Sequence, residues 1–297
     1  MTGETQAPFC PGPDPNPRAP SISVPERACD CHVHVFGPAS LYPYQQERGY
    51  TPPDAPFETL ADLHRVLGLG RAVIVQASVH GTDNRAVVDT VARDSERLRG
   101  VCAVGEEVSE AELGRLNEAG VRGVRVNLVD RGGMPFSSLD AVGEMGRRIA
   151  DMGWHIEFLV HVHESEELGP LVRSLPVPVV VGHVGYVRTD AGIDHPGFRE
   201  FVALLRDGLG WVKLTGPYRI SVREAPPYDD VTPFARAVIE AAPDRVVWGS
   251  DWPHVIHHRR MPNDADLIDC LADWAPDEAI RRRILVDNPA KLYGFAS

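Results

Sequence analysis

Eight short apolar runs separated by amphipathic stretches constrain this chain more than any other feature. The runs are CDCHVHV (29–35), AVIVQAS (72–78), VCAVGE (101–106), GVRVNLV (123–129), WHIEFLVH (154–161), VPVVVGH (177–183), WVKLTG (211–216) and RVVWGSD (245–251). Between them lie helix-patterned segments such as NRAVVDTVARDSERL (84–98), SEAELGRLNEAG (109–120), SLDAVGEMGRRIADMG (138–153) and VTPFARAVIEAA (231–242). Strand and helix in strict alternation predict a parallel sheet, and eight repeats is the number that closes a (β/α)8 TIM barrel of the α/β class. An open doubly wound sheet is the rival topology, but no G-x-G-x-x-G follows a strand, so nucleotide binding lacks its usual sign. The first 25 residues, rich in Pro and Gly, predict an extended arm. Residues 26–297 are then expected to form a single barrel domain.

Composition narrows the function classes. A net charge of −12 over 297 residues argues against general binding to nucleic acid or to an anionic membrane. No run approaches the roughly 20 apolar residues of a spanning helix, and the first residues lack the basic-then-apolar pattern of a secretory signal. Five cysteines, an odd count, fit a reducing cytoplasm better than a disulfide framework. These numbers are compatible with a homo-oligomer.

Strand side chains alternate between two faces, so each run divides into two sets. In CDCHVHV, Cys29, Cys31, Val33 and Val35 share one face, and Asp30, His32 and His34 share the other. The cysteines are expected to pack with the valines against the helices, and no C-x(2–4)-C pair supports a zinc knuckle. The same division sets Ile74, Gln76, Ser78 and His80 against Val73, Val75, Ala77 and Val79. It sets Arg125 and Asn127 against Val124 and Val126, and Glu157, Leu159, His161 and His163 against Ile156, Phe158, Val160 and Val162. His183 and Asp251 end two further runs. Barrel function sits at the C-terminal ends of the strands. Several imidazoles and a carboxylate gathered there are costly to bury unless paired, hydrogen-bonded or bound to a metal.

An H-x-H on the first strand, a histidine ending a later strand and an aspartate ending the eighth resemble the amidohydrolase superfamily in its amidohydrolase-2 branch. VIVQASVHGTDN (73–84), GVRVN (123–127), GHVG (182–185), WGSDWPH (248–254) and DNPAKLYGF (287–295) are similar to the pyrone-dicarboxylate lactonases and sugar lactonases of that branch. The resemblance runs from Cys29 to the end of the chain. It implies hydrolysis of a small anionic lactone, with Asp251 as general base and His32, His34 and His183 polarising the carbonyl, directly or through a metal.

Two readings of the cofactor follow from the resemblance. One divalent ion, zinc or manganese, would be held by His32, His34, His161 and Asp251, with His163 as second choice to His161; otherwise catalysis is metal-independent. Arg125, Arg131 and Arg219 stand where the lactonases bind substrate carboxylates, and Ser78, His80 and Tyr50 match further contact positions. Two departures imply a changed substrate. Tyr186 stands where the lactonases have an arginine, with Arg188 two places on, and Leu159 replaces a tyrosine. A pyrone dicarboxylate and another carboxylated or sugar-acid lactone both fit. The rivals are a metal-dependent decarboxylase of the same branch and a non-catalytic ligand-binding barrel, which would be expected to have lost one of the histidines or Asp251.

Overall fold

The computed structural model describes residues 7–296; the first six residues of the expected arm lie outside them. Eight strands, β1 (Cys29–Val33), β2 (Arg71–Val75), β3 (Leu98–Cys102), β4 (Val121–Asn127), β5 (His155–Leu159), β6 (Val179–Val181), β7 (Gly210–Leu214) and β8 (Val246–Trp248), pair in parallel and in sequence order. A doubly wound sheet would reverse order near its middle. Here β1 and β8 instead meet, with Asp251 N donating to the His32 carbonyl and His34 N to the Trp252 carbonyl, both at 2.9 Å. Gly249 permits that meeting, because a Cβ there would sit 2.7 Å from His32 N.

Helices cover the outside: α1 (Phe57–Leu67), α2 (Arg85–Val91), α3 (Glu110–Glu118), α4 (Leu139–Ile149), α5 (Leu168–Ser174), α6 (Pro196–Arg206), the single turn α7 (Pro217–Ile220) and α8 (Thr232–Ala241) precede the C-terminal segments. Local chemistry sets several of their ends. Ser109 and Ser138 accept the amides of Glu112 and Ala141 as N-caps, and Gly68 closes α1 in the left-handed region. No helix of the described residues is long and apolar enough to cross a membrane. All five cysteines are free and buried.

The apolar interior has two compartments. The larger lies between sheet and helices and takes Val33, Ile74, Val124, Val126, Ile156, Phe158, Val212 and Trp248. The smaller fills the barrel, where Cys29, Cys31, Val73, Val75, Val101, Val180, Trp211 and Val247 pack on Leu292, Tyr293 and Phe295 from the C-terminal segment. This corrects the expected placement of the cysteines. Asp30 pairs with Ala72 but Val33 pairs with Ile74, so β1 spends three steps against two of β2. A bulge adds one residue and reverses the alternation within the strand. Cys29 and Cys31 face inward before it, His32 and His34 after it, and Asp30 faces α1, its Oδ2 lying 3.3 Å from His64 Nε2. Asp30 Oδ1 accepts the amides of Ser250 (2.9 Å) and His32 (3.2 Å), stitching the closing strands from outside. On β2, Val73 and Val75 line the barrel and Ile74 the helices. Gln76 lies past the strand end, its amide nitrogen bonded to the Gly81 and Asp83 carbonyls.

The N-terminal segment runs extended, docked on the rim at the strand ends. Cys10 N donates to the Thr51 carbonyl (2.9 Å), Thr51 N to the Pro8 carbonyl (2.7 Å) and Ile256 N to Cys10 Sγ (3.2 Å). Asn263 Nδ2 bonds Asp14 and the Asn16 carbonyl further along.

Candidate active site

The β1–β8 contact brings His32, His34 and Asp251 together at the C-terminal mouth of the barrel, and His183 arrives from the end of β6. His32 Nε2 lies 3.7 Å and His34 Nε2 3.6 Å from Asp251 Oδ1, and the His32 and His183 rings are 5.3 Å apart. All four side chains are buried. The backbone there is strained: Asp251 (φ 65°), His183 (φ 51°), Tyr186 (φ 51°) and Ile256 (φ 62°) occupy the left-handed region without being glycine. Such conformations persist where surrounding packing over-determines them, and they cluster at functional sites.

The two oxygens of Asp251 have different surroundings. Oδ2 accepts from Tyr218 Oη at 2.7 Å and Arg219 Nε at 2.5 Å, while Oδ1 is buried with no hydrogen-bond partner. Burial pushes the Asp251 carboxyl pKa up, but the Arg219 guanidinium foremost holds it well below the usual carboxylate range. The histidines move in the opposite sense. Burial, assisted by Lys213, takes His32 well below its ordinary value; burial lowers His34; and burial brings His183 to about 4. At neutral pH the site is one ionised carboxylate among neutral imidazoles.

Neutral imidazoles have tautomers, and the neighbours of each ring set them. His34 Nδ1 lies 2.8 Å from the Val75 carbonyl, an acceptor, so the proton sits on Nδ1 and Nε2 presents a lone pair beside Asp251 Oδ1. His32 Nδ1 instead meets the ammonium of Lys213 at 3.3 Å, and His32 Nε2 has no partner. His183 Nδ1 rests 2.8 Å from Thr215 Oγ1.

His32, His183 and Asp251 each offer one donor atom within 4.8 Å of the others, a spacing that can hold a divalent ion. His32 would have to ligate through a bare Nε2, and the ammonium facing Nδ1 favours a proton on Nε2. The set fits an ion by spacing and not by protonation. The expected four-ligand set does not assemble. β5 ends at Leu159, strand alternation stops there, and His161 Nδ1 bonds the Tyr186 carbonyl (2.9 Å) with its ring against Tyr186. His163 lies 3.4 Å from Glu164.

Above Asp251 is a narrow cleft of about 10 Å³, room for about one water, walled by His34, Tyr50, Ser78, Arg125, Asp130, Leu159, His183, Tyr186, Arg219 and Ile256. A second cavity of about 280 Å³ adjoins it across Ser78 and Arg125. Arg125 is buried, bonded through Nη1 to the Gln76 carbonyl (3.0 Å), with Nε unpartnered. Arg219 reaches the cleft but is engaged with Asp251. Arg131 is exposed and outside the cleft wall, because Asn127 ties down the turn after β4: its Oδ1 accepts the amides of Val129 and Asp130 and its Nδ2 bonds the Asp130 carboxylate. That turn presents Asp130 instead. Arg188 is exposed and paired with Asp190 (3.0 Å). His80 packs between Phe36 and Tyr44, outside the cleft wall.

Five participants were given no role by sequence reasoning. Tyr218 joins Asp251 to His254 (3.0 Å), which pairs with Asp264 (3.1 Å). Lys213 and Glu157 form a buried pair under His32. For the second pair a signal existed: WVKLTG and HIEFL each carry one charge inside an apolar strand run.

Comparison with known proteins follows the same lines. A family model described as amidohydrolase matches residues 29–295. The chain is 42% identical over 286 residues to a 2-pyrone-4,6-dicarboxylate hydrolase of Comamonas testosteroni, covering 94% of this chain and 93% of that one. It is 40% identical to a 4-sulfomuconolactone hydrolase of Rhizobium radiobacter, covering 97% and 96%. A crystal structure of an apo protein from Agrobacterium tumefaciens superposes with a TM-score of 0.82 at 30% identity, over 93% of this chain and 99% of that one.

Proposed function

The chain belongs to the amidohydrolase family, and from that premise we propose that it hydrolyses a small carboxylated lactone. The observation that carries this reading is the asymmetry of Asp251. Oδ2 is held by Tyr218 and Arg219, and Oδ1 is left free, ionised, beside the lone pair of His34 Nε2. Water entering the cleft meets two acceptors there, a carboxylate and an imidazole, and Asp251 Oδ1 takes its proton as the water oxygen bonds to the lactone carbonyl carbon. Unpartnered His32 Nε2 supplies a hydrogen bond to the oxygen on which negative charge develops. Collapse of the tetrahedral intermediate breaks the ring C–O bond, and the proton on Asp251 passes to the departing ring oxygen, giving an open hydroxy acid. Arg125, charged, buried and open at Nε, pairs with a substrate carboxylate, while Tyr50 and Ser78 add hydroxyl contacts. These counterparts correspond to the substrates in the names of the two relatives, a pyrone dicarboxylate and a sulfomuconolactone.

Hydrolysis of a panel of carboxylated and neutral lactones, followed by proton release, tests the reading. Carboxylated lactones should be opened and their neutral analogues poorly. Asp251→Asn keeps the shape and removes the base, so kcat should fall about 10²–10⁴-fold; a variant with full kcat would refute the role of Asp251.

A further inference from the structure

Beneath the cleft floor lies a charge cluster that hydrolysis does not consume. Lys213, from β7, and Glu157, from β5, meet inside the barrel with Nζ 2.6 Å from Oε2, and both are shielded from solvent. A buried ion pair stabilises a fold little relative to an apolar pair of the same shape, so its presence calls for another reason. The Lys213 ammonium forms an ion pair with Glu157 Oε2 and donates hydrogen bonds to the Cys31 carbonyl at 2.8 Å and His32 Nδ1 at 3.3 Å. Glu157 Oε1 lies at the same 3.3 Å from His32 Nδ1 and competes for a proton there, but the ring nitrogen forms its hydrogen bond with Lys213 Nζ. An ammonium only donates, so the ring nitrogen facing it must present its lone pair. The single proton of neutral His32 then sits on Nε2, the atom that opens on Asp251 and the cleft without a partner.

We propose that Lys213 is a positioning residue that fixes His32 as its Nε2–H tautomer, which makes His32 a hydrogen-bond donor to the developing oxyanion and bars it from ligating a metal ion. The two histidines of β1 and its extension thereby divide the work. The Val75 carbonyl holds His34 with Nε2 bare, and Lys213 holds His32 with Nε2 protonated. Glu157 supplies the counter-charge that an ammonium requires in a dry interior. The β1 bulge contributes as well, since it leaves Cys31 and His32 both facing inward, with the Cys31 carbonyl as a further acceptor for Lys213. The consequence for catalysis rests on the lactone-opening reading; the tautomer itself is measurable in the resting protein.

Long-range proton–nitrogen correlation spectra of protein labelled with ¹⁵N-histidine test it, with the His32 signals assigned by their loss in His32→Gln. The expected wild-type pattern is a protonated Nε2 and a bare Nδ1, and the reverse pattern overturns the proposal. Zinc chloride added to the protein should leave the His32 signals in place; capture of Nε2 by zinc overturns it. Lys213→Met should mix the tautomers and lower kcat on a carboxylated lactone about 100-fold, the scale of losing one oxyanion donor, with KM within about twofold. Because that variant strands Glu157, the double variant Glu157→Leu with Lys213→Met removes both charges. It should keep the wild-type thermal midpoint yet retain mixed tautomers and the low kcat; a double variant with wild-type kcat overturns the proposal. An Nε2–H His32 in a protein that opens no lactone refutes the functional reading alone, whereas an Nδ1–H His32 in an active protein refutes the role of Lys213 alone.

Discussion

Replacing Arg219 by methionine removes the cation that holds the general base ionised. The contact is Nε to Asp251 Oδ2 at 2.5 Å, on a carboxylate with no exposed surface. Burial is the largest influence on the Asp251 pKa and pushes it up; Arg219 is the foremost influence opposing it. A hydrogen bond between charged groups in such a place contributes about 1.5–3 kcal/mol. Its loss lets the Asp251 pKa climb. Tyr218 keeps its bond to Oδ2, so the depression is reduced and not abolished. The acid limb of the kcat/KM profile reports the base of the free enzyme and should move up in pH. Stability follows the same sign. A carboxylate whose pKa is depressed by folding contributes stability above the ordinary carboxylate range and loses it as pH falls through the depressed value. The wild type should therefore melt above Arg219→Met at neutral pH, and the gap should close in acid. Initial rates on a carboxylated and a neutral lactone across the acid-to-neutral range check both points. An unmoved acid limb, with KM raised for the carboxylated lactone alone, would refute the reasoning and return Arg219 to the substrate.

Two further outcomes are expected. His183 titrates at about 4 in the fold against roughly 6.5 unfolded, so its burial contributes stability above the unfolded value that drains away as pH falls toward the folded one, on the order of 3 kcal/mol. Calorimetry across that window should show a falling Tm in the wild type, and a flat Tm counts against the neutral, buried ring. Deleting residues 1–11 removes the Pro8 and Cys10 bonds to Thr51 and the Cys10 contact with Ile256. With two backbone bonds lost, at about 1 kcal/mol each, a modest drop in Tm and a raised KM are expected; an unchanged KM would show that the arm does not brace the cleft.

The barrel was legible because strand and helix periods alternate eight times, and His32, His34, His183 and Asp251 were legible because strand ends in a barrel face one mouth. The cysteines were misplaced for a physical reason. A bulge inserts a residue without disturbing the apolar–polar rhythm, since Cys and Val suit either face. His161 was extrapolated along an alternation that ends with β5 at Leu159, and Arg131 lies in a turn whose direction depends on Asn127. Arg219 was seen as a charge at the mouth, but that its partner is Asp251 depends on how α7 follows Gly216 in the left-handed region. Lys213 and Glu157 could have been singled out, because a lone charge at an inward strand position has no water to turn to.

The bonds that join β1 to β8 are also the bonds that set His32 and His34 against Asp251. Catalytic competence is therefore all-or-none with respect to chain completeness. A fragment of seven strands, however well ordered, lacks a base, and a nascent chain stays silent until its eighth strand docks. Cut between any two strands, the chain should yield two inert pieces, and lactone opening would report whether they reassemble into a closed barrel.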